Sequence, residues 1–336
     1  MSNLFNMTTG TLTKKFVPAW WLPDGHSQTL WRKFSPPATI SQRRQRIELK
    51  DGDFIDVDWA SAAEIEHSPD KTIVFILHGL CGCSSSPYIV ALQSLLNANG
   101  IASLAMNFRG CSGEFNRLAR AYHSGVSEDV EEVFGKILEQ YPEHNYVFVG
   151  YSLGANVLLK WLGEIQAHPR IKKAVAVSTP FSLENCSKAM LKGASRFYGS
   201  YFVRRLLSDF NAKQKHFEAT DKAEQAQQIK DLGAAQNIAT IWEFDDKITA
   251  PLHGFTGAED YYRKCSSLGF LDAIGSETLL IQSLNDPLIP GNSIPDSKML
   301  APQVKLQLTQ KGGHVGFISG NSGNWLEQTI LTFIQA

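Results

Sequence analysis

No stretch of this chain approaches the ~20 consecutive apolar residues needed to cross a bilayer, so no integral membrane association is expected. The amino end, Met1-Ser2-Asn3-Leu4-Phe5-Asn6-Met7, lacks a basic segment followed by an apolar one, and no signal peptide is read there. Cysteine is scarce. Cys81, Cys83, Cys111, Cys186 and Cys265 are odd in number and form no disulfide framework. Cys81-Gly82-Cys83 has the wrong spacing for a zinc knuckle and no matching pair follows, so no metal site is read. Neither sign of charge is in excess: 32 Lys and Arg face 33 Asp and Glu, a formal net charge of −1, which offers nothing to nucleic acid or to an anionic membrane surface. Internal repeats and low-complexity runs are missing as well. What remains is 336 residues, 43% hydrophobic and 19% charged, the make-up of a soluble globular protein with a large core. A reduced cytoplasm is the simplest home for it.

The most informative segment is Gly150-Tyr151-Ser152-Leu153-Gly154. Before it runs Asn145-Tyr146-Val147-Phe148-Val149, aromatic and β-branched; after it runs Ala155-Asn156-Val157-Leu158-Leu159-Lys160-Trp161-Leu162, apolar at helical spacing. Strand, glycine-flanked serine, helix is the context of a nucleophile elbow, a turn too sharp for side chains two residues either side of the serine. Its hydroxyl would project near a helix N-terminus, where developing negative charge is favoured. The bland alternative is a chance match between two structural glycines.

A serine nucleophile needs a base and a carboxylate to orient that base, and in an α/β-hydrolase they follow in the order serine, acid, histidine. Of nine histidines only His314 lies beyond the last plausible acid loop, in Gly312-Gly313-His314-Val315-Gly316 after the alternating segment Val304–Leu308. Asp286 closes the buried strand pattern Glu277–Leu284, at a strand's C-terminal end where open α/β sheets place working groups. Asp245, Asp246, Asp272 and Asp296 compete for the acid's role, but none closes so clear a strand. Two backbone N–H groups must hold the oxyanion. Leu153 follows the nucleophile, and Leu80, in His78-Gly79-Leu80-Cys81-Gly82, is the natural second donor. Each feature alone has a structural alternative, as turn chemistry or a connecting loop.

Coarsely, the chain divides at 1–179, 180–265 and 266–336. An N-terminal arm leads to a hairpin, Arg46–Leu49 and Phe54–Trp59 around Asp51-Gly52-Asp53. Strands and helices then alternate, which predicts an α/β fold with a mostly parallel central sheet and helices on both faces. From 180 to 265 the rhythm breaks into a helical stretch rich in aromatics, including Phe197, Tyr198, Tyr201, Phe202, Phe210, Phe244, Tyr261 and Tyr262. An insertion there is where a cap would sit, and its rings would either roof Ser152 or form a core of their own. The rhythm resumes at 266 and ends on the helix Trp325–Ile334.

The chain resembles the YheT-like branch of the α/β-hydrolase superfamily, related to ABHD-type lipid esterases. The likeness rests on Pro23-Asp24-Gly25-His26-Ser27-Gln28-Thr29, His78-Gly79-Leu80, Asn107-Phe108-Arg109-Gly110, Tyr122-His123-Ser124-Gly125, the elbow, Ser283-Leu284-Asn285-Asp286-Pro287 and the Gly312–Gly316 loop. The resemblance implies an α/β-hydrolase fold with a helical cap and a serine carboxylesterase acting on short- to medium-chain acyl esters or acylglycerols. It implies a small-molecule ester substrate and no cofactor. Alternatives are an alcohol acyltransferase working through the same acyl-enzyme and a non-catalytic binder of a hydrophobic ligand. Arg109 is read as pinning a loop, and Trp20-Trp21 as packing against the body, with a membrane-interface anchor as the other reading.

Overall fold

The computed structural model describes residues 15–34, 39–60, 65, 71–233, 237–320 and 323–336. An eight-stranded sheet runs through it in the order β1-β2-β4-β3-β5-β6-β7-β8. The strands are β1 (Gln42–Glu48), β2 (Phe54–Ala60), β3 (Thr72–Leu77), β4 (Ala102–Met106), β5 (Asn145–Tyr151), β6 (Ile171–Val177), β7 (Glu277–Ser283) and β8 (Val304–Thr309). The expected hairpin is β1-β2, antiparallel, and β2 pairs antiparallel with β4; every pairing from β4 to β8 is parallel. Charge sets the hairpin's register. Arg44 faces Asp58 and Arg46 faces Asp56 across the ladder, each guanidinium meeting its carboxylate at 2.8 Å.

The central strands carry apolar residues on both faces, as strands covered on both sides must. Phe75, Leu77 and Phe148 point into one core with Phe134 of α3 (Ser127–Gln140) and Trp161 of α4 (Leu153–Ile165). Val74, Ile76, Val147 and Val149 point the other way, against Leu92 of α2 (Pro87–Ala98) and Ile330 of α11 (Trp325–Gln335). Adjacent residues on one strand thus belong to opposite cores, which is period-two alternation with both faces buried. The parallel strands share one C-terminal edge, which delivers His78, Asn107, Ser152, Ser178, Asp286 and His314 to the same side of the molecule.

Between β6 and β7 the chain makes α5 (Leu183–Ala189), α6 (Arg196–Ala219), α7 (Ala223–Asp231), α8 (Ile241–Phe244), α9 (Ala250–Leu252) and α10 (Ala258–Cys265). This segment has a core of its own, with Val203, Phe210, Phe217, Ile229 and Phe244. Lys213 ties it to the sheet domain: its buried ammonium donates to Asn116 Oδ1 at 2.7 Å and to the Ala119 and Arg120 carbonyls. Arg109 is buried and fully engaged, bidentate to Asp129 at 2.8 and 2.7 Å and bound also to Asp51 and Asp53.

The arm differs from expectation. Trp20 is 85% exposed and Trp21, at 39%, only partly covered, and their rings meet each other edge to face. The inward positions belong to Ala19 and Leu22, which pack on Ile318, and to Phe16, whose ring sits on Phe317 and Trp325. A short bridge, Pro18 to Ser319, fixes which residues of the arm face in. From there the arm enters α1 (Gly25–Phe34).

Candidate active site

Ser152 sits between β5 and α4 at φ 52° and ψ −119°, a left-handed conformation that a non-glycine residue holds only at a cost of about 1–3 kcal/mol. The surroundings enforce it. Ser152 N donates to Val177 O at 2.9 Å, while its carbonyl accepts from Ala155 N and Asn156 N as α4 begins. The flanking glycines are required by space: a Cβ on Gly154 would stand 2.4 Å from the His78 carbonyl, and one on Gly150 would stand 2.6 Å from Ala155 Cα.

From the Ser152 hydroxyl a continuous hydrogen-bonded chain leads inward. His314 Nε2 lies 2.8 Å from Ser152 Oγ, and His314 Nδ1 lies 2.8 Å from Asp286 Oδ2. The Asp286 side chain is fully buried. Its other oxygen accepts from Leu288 N at 2.8 Å and Ile289 N at 3.2 Å, a turn that holds the carboxylate in one orientation. A carboxylate at Nδ1 holds the proton there and leaves Nε2 as the acceptor facing the serine. Three of the four competing aspartates are engaged by other donors. Asp245 accepts from Thr249 and Tyr262, Asp246 from Ala258 N, and Asp296 from Lys298 N.

Leu80 and Leu153 stand beside Ser152, both lining the pocket that contains it. The amides around Leu80 are already engaged, Gly79 N by the Tyr88 phenol at 2.9 Å and Cys81 N by the Tyr122 phenol at 3.0 Å. The Leu80 N–H lies between these two anchored peptides. His78 supports the same turn. Its Nε2 accepts from Phe108 N at 3.1 Å, so Nδ1 is the donor to Gly79 O at 2.8 Å. Full burial pushes its pKa down to about 4, and the ring stays neutral.

Sequence reasoning did not find the supports of the His314 loop. Thr29 Oγ1 accepts from His314 N at 2.8 Å and donates to Gly25 O at 2.6 Å. Gln28 Oε1 accepts from Ile318 N, Asn285 Oδ1 accepts from Gly313 N, and Ser178 Oγ accepts from Val315 N. Gln28 and Thr29 belong to the compact polar motif Asp24-Gly25-His26-Ser27-Gln28-Thr29, which does not disclose what it braces, and Asn285 and Ser178 carry no signal of this contact. Among the described residues, no cluster of three or more His, Cys, Asp or Glu side chains could hold a metal ion, and no helix is long and apolar enough to cross a membrane.

Two concavities meet at Ser152. One is a small apolar pocket of about 80 Å³ walled by Leu183, Met190, Phe202, Leu288 and Ile289. The other is a cleft of about 680 Å³ with Tyr88 and Tyr198 in its walls and the exposed side chains of Leu30, Phe197 and Tyr201 at its rim. The aromatics of the 180–265 segment therefore divide. Phe197, Tyr198, Tyr201, Phe202 and Tyr262 line these spaces, whereas Phe210 and Phe244 fill the segment's own core.

Residues 72–321 match the family described as the alpha/beta hydrolase fold. The chain belongs to that family. Within it the chain is 39% identical over 321 residues to YheT of Escherichia coli K12, named as a candidate esterase, covering 94% of this chain and 92% of that one. It is 28% identical over 336 residues to human phospholipase ABHD3, covering 97% and 80%. These relatives place it in the YheT/ABHD-like branch of the α/β-hydrolases. Among solved structures, the Pyrococcus furiosus esterase Pf2001 superposes with a TM-score of 0.57 at 17% identity, covering 89% of this chain and 95% of that one, a likeness of fold.

Proposed function

We propose that this α/β-hydrolase is a serine carboxylesterase that cleaves acyl esters through an acyl-enzyme on Ser152. The observation that carries the reading is the unbroken Ser152–His314–Asp286 hydrogen-bond chain, at 2.8 Å in both links. His314 Nε2 takes the Ser152 proton as Oγ attacks the ester carbonyl, and the Leu80 and Leu153 amides hold the oxyanion. Collapse of the tetrahedral adduct breaks the bond to the alcohol oxygen, which leaves with the proton from His314. Water then adds to the acyl-enzyme with His314 as base, releasing the acid and restoring Ser152. Asp286 fixes the imidazole tautomer and stabilises the imidazolium throughout. The naming of YheT and ABHD3 for esterase and phospholipase activity agrees with this class of reaction.

The two concavities suggest how the ester lies. The alcohol product leaves first and needs an open exit, which the 680 Å³ cleft supplies. The acyl group stays until water arrives, and the smaller apolar pocket of about 80 Å³ beside Ser152 has room for a short chain. In this reading residues 180–265 form a cap, since α5 and α6 contribute Leu183, Met190 neighbours α5, and Phe202 walls the pocket. An alcohol entering by the same open cleft could replace water, so transfer to alcohols is the second reading. Labelling with a fluorophosphonate probe, together with a p-nitrophenyl ester series run with and without ethanol or glycerol, tests both. Wild type should label at Ser152 and turn over the shorter esters. A protein that resists the probe and turns over no ester is a binder, and the proposal fails.

A further inference from the structure

One titratable group in the Ser152 pocket has no part in the chemistry above. Asp245 lines that pocket together with Ser152, Leu153, Ile241, Tyr262 and His314, and it is only 9% exposed. Its Oδ1 accepts from the Thr249 hydroxyl and its Oδ2 from the Tyr262 phenol, both at 2.7 Å. Among the described residues it makes no ion pair with lysine, arginine or histidine. Burial drives its pKa up to about 6, with the two hydroxyl donors pulling the other way.

The backbone at this point is unusual in the same place. Residues Asp245–Thr249 form a π-helical turn, with Ala250 N donating to Asp245 O, five residues back. Such single-turn bulges are rare and concentrate at functional sites. Here the bulge sits between α8 and α9 and sets the Thr249 hydroxyl against the carboxylate it follows by four residues. A carboxyl group offers about four lone-pair positions, and two donors fill only two of them. An apolar pocket would be served better by Asn or Leu, because an uncompensated buried acid is costly.

We propose that Asp245 is the polar anchor of a subsite in this pocket, taking acyl groups that carry a hydrogen-bond donor, a hydroxyl or an ammonium, along a short chain. The inference rests on the esterase reading and deepens it: Tyr262 and Thr249 orient the carboxylate, and its remaining lone pairs face the bound chain. A purely structural role, knitting the π-turn to α10, would leave substrate choice untouched.

The test uses the intact protein and four methyl esters: butyrate, 2-hydroxybutyrate, 3-hydroxybutyrate and 4-aminobutyrate, with acid release followed by pH-stat. A hydrogen bond to a charged group supports a preference of roughly tenfold or more in kcat/KM for at least one donor-bearing ester over butyrate. The hydroxyl and amino arms tell the two donor types apart. In Asp245→Asn that ratio should fall toward one. Tyr262→Phe keeps the carboxylate and releases a lone pair, so the preference should persist or grow, and it serves where Asp245→Asn does not fold. No preference in wild type, or one that survives loss of the carboxylate, overturns the subsite while leaving the esterase reading intact. No turnover of any ester overturns the parent reading, and this one with it.

Discussion

The backbone amide of His314 is held by the hydroxyl of Thr29, 285 residues earlier in the chain, at 2.8 Å. Thr29 is itself fixed by its hydrogen bond to Gly25 O, one turn back on α1. Space around the histidine loop is exhausted: a Cβ on Gly313 would stand 2.4 Å from Gly25 O, and one on Gly316 would stand 2.7 Å from Gln28 O. Val315 and Phe317 hold positive φ, 58° and 47°, which bulky residues adopt only when their surroundings dictate it. The loop carrying the proposed base thus has its shape imposed by the arm, and the arm is part of the site.

Thr29→Val should therefore impair catalysis from a distance. Losing one hydrogen bond of about 1 kcal/mol corresponds to roughly a fivefold loss of rate. The loss should fall on kcat with KM little changed, and Thr29→Ser should restore it. Steady-state kinetics on one p-nitrophenyl ester decide the matter. Unchanged kcat in the valine variant would show that the loop keeps its position without this bond.

Ser152→Ala and His314→Ala should each lower ester hydrolysis by about 10⁴-fold or more, and the double variant should cost little beyond either single one, because the groups act as a unit. Asp286→Asn should approach the same loss, on the order of 10⁴-fold, since an amide can impose the wrong tautomer on His314. Substantial turnover in Ser152→Ala would remove the acyl-enzyme from consideration.

The strand–turn–helix around Ser152 and the strand end that carries Asp286 were legible because each is a local pattern: five residues set the elbow, and a buried strand ending in Asn285-Asp286-Pro287 puts Asp286 at a strand's C-terminal end. The turn that carries Leu80, the proposed oxyanion donor, was legible for the same reason, as a His-Gly pair at a strand end. Contacts between distant segments were not. Nothing in Gly25–Thr29 announces that it braces a loop near residue 314, and the Trp20-Trp21 pair reads as packing against the body because hydrophobicity says nothing about which residues of a bridged segment turn inward. The helical segment was visible as a break in rhythm, but its periodicity could not separate Phe202, which walls the pocket, from Phe210, which lies one face away in the segment's own core.

His78 predicts an acid limit to stability. Its folded pKa, about 4, lies below the ordinary 6.5, so the native state resists protonation more than the unfolded chain does. The stabilisation is complete above pH 6.5 and is lost as pH falls through about 4. Across that window the group should cost about 1.4 kcal/mol per pH unit, roughly 3 kcal/mol in all. Urea unfolding between pH 7 and 4 should show this slope in wild type and a shallower one in His78→Gln, whatever the variant's stability at neutral pH. Equal slopes would mean that other groups govern acid unfolding.

Shrinking the pocket wall should change which acid is released. Phe202 borders both the small pocket and the larger cleft, so Phe202→Ala should move the optimum of a p-nitrophenyl ester series toward longer acyl chains. Phe210 is buried among Val203, Phe217 and Phe244 and lines neither space, so Phe210→Ala should destabilise the fold by about 3–5 kcal/mol while leaving the order of preference alone. The pair separates a roof over the site from a helical core that merely stands nearby. A folded Phe202→Ala protein with the wild-type chain-length profile would show that the 180–265 segment does not measure the acyl group.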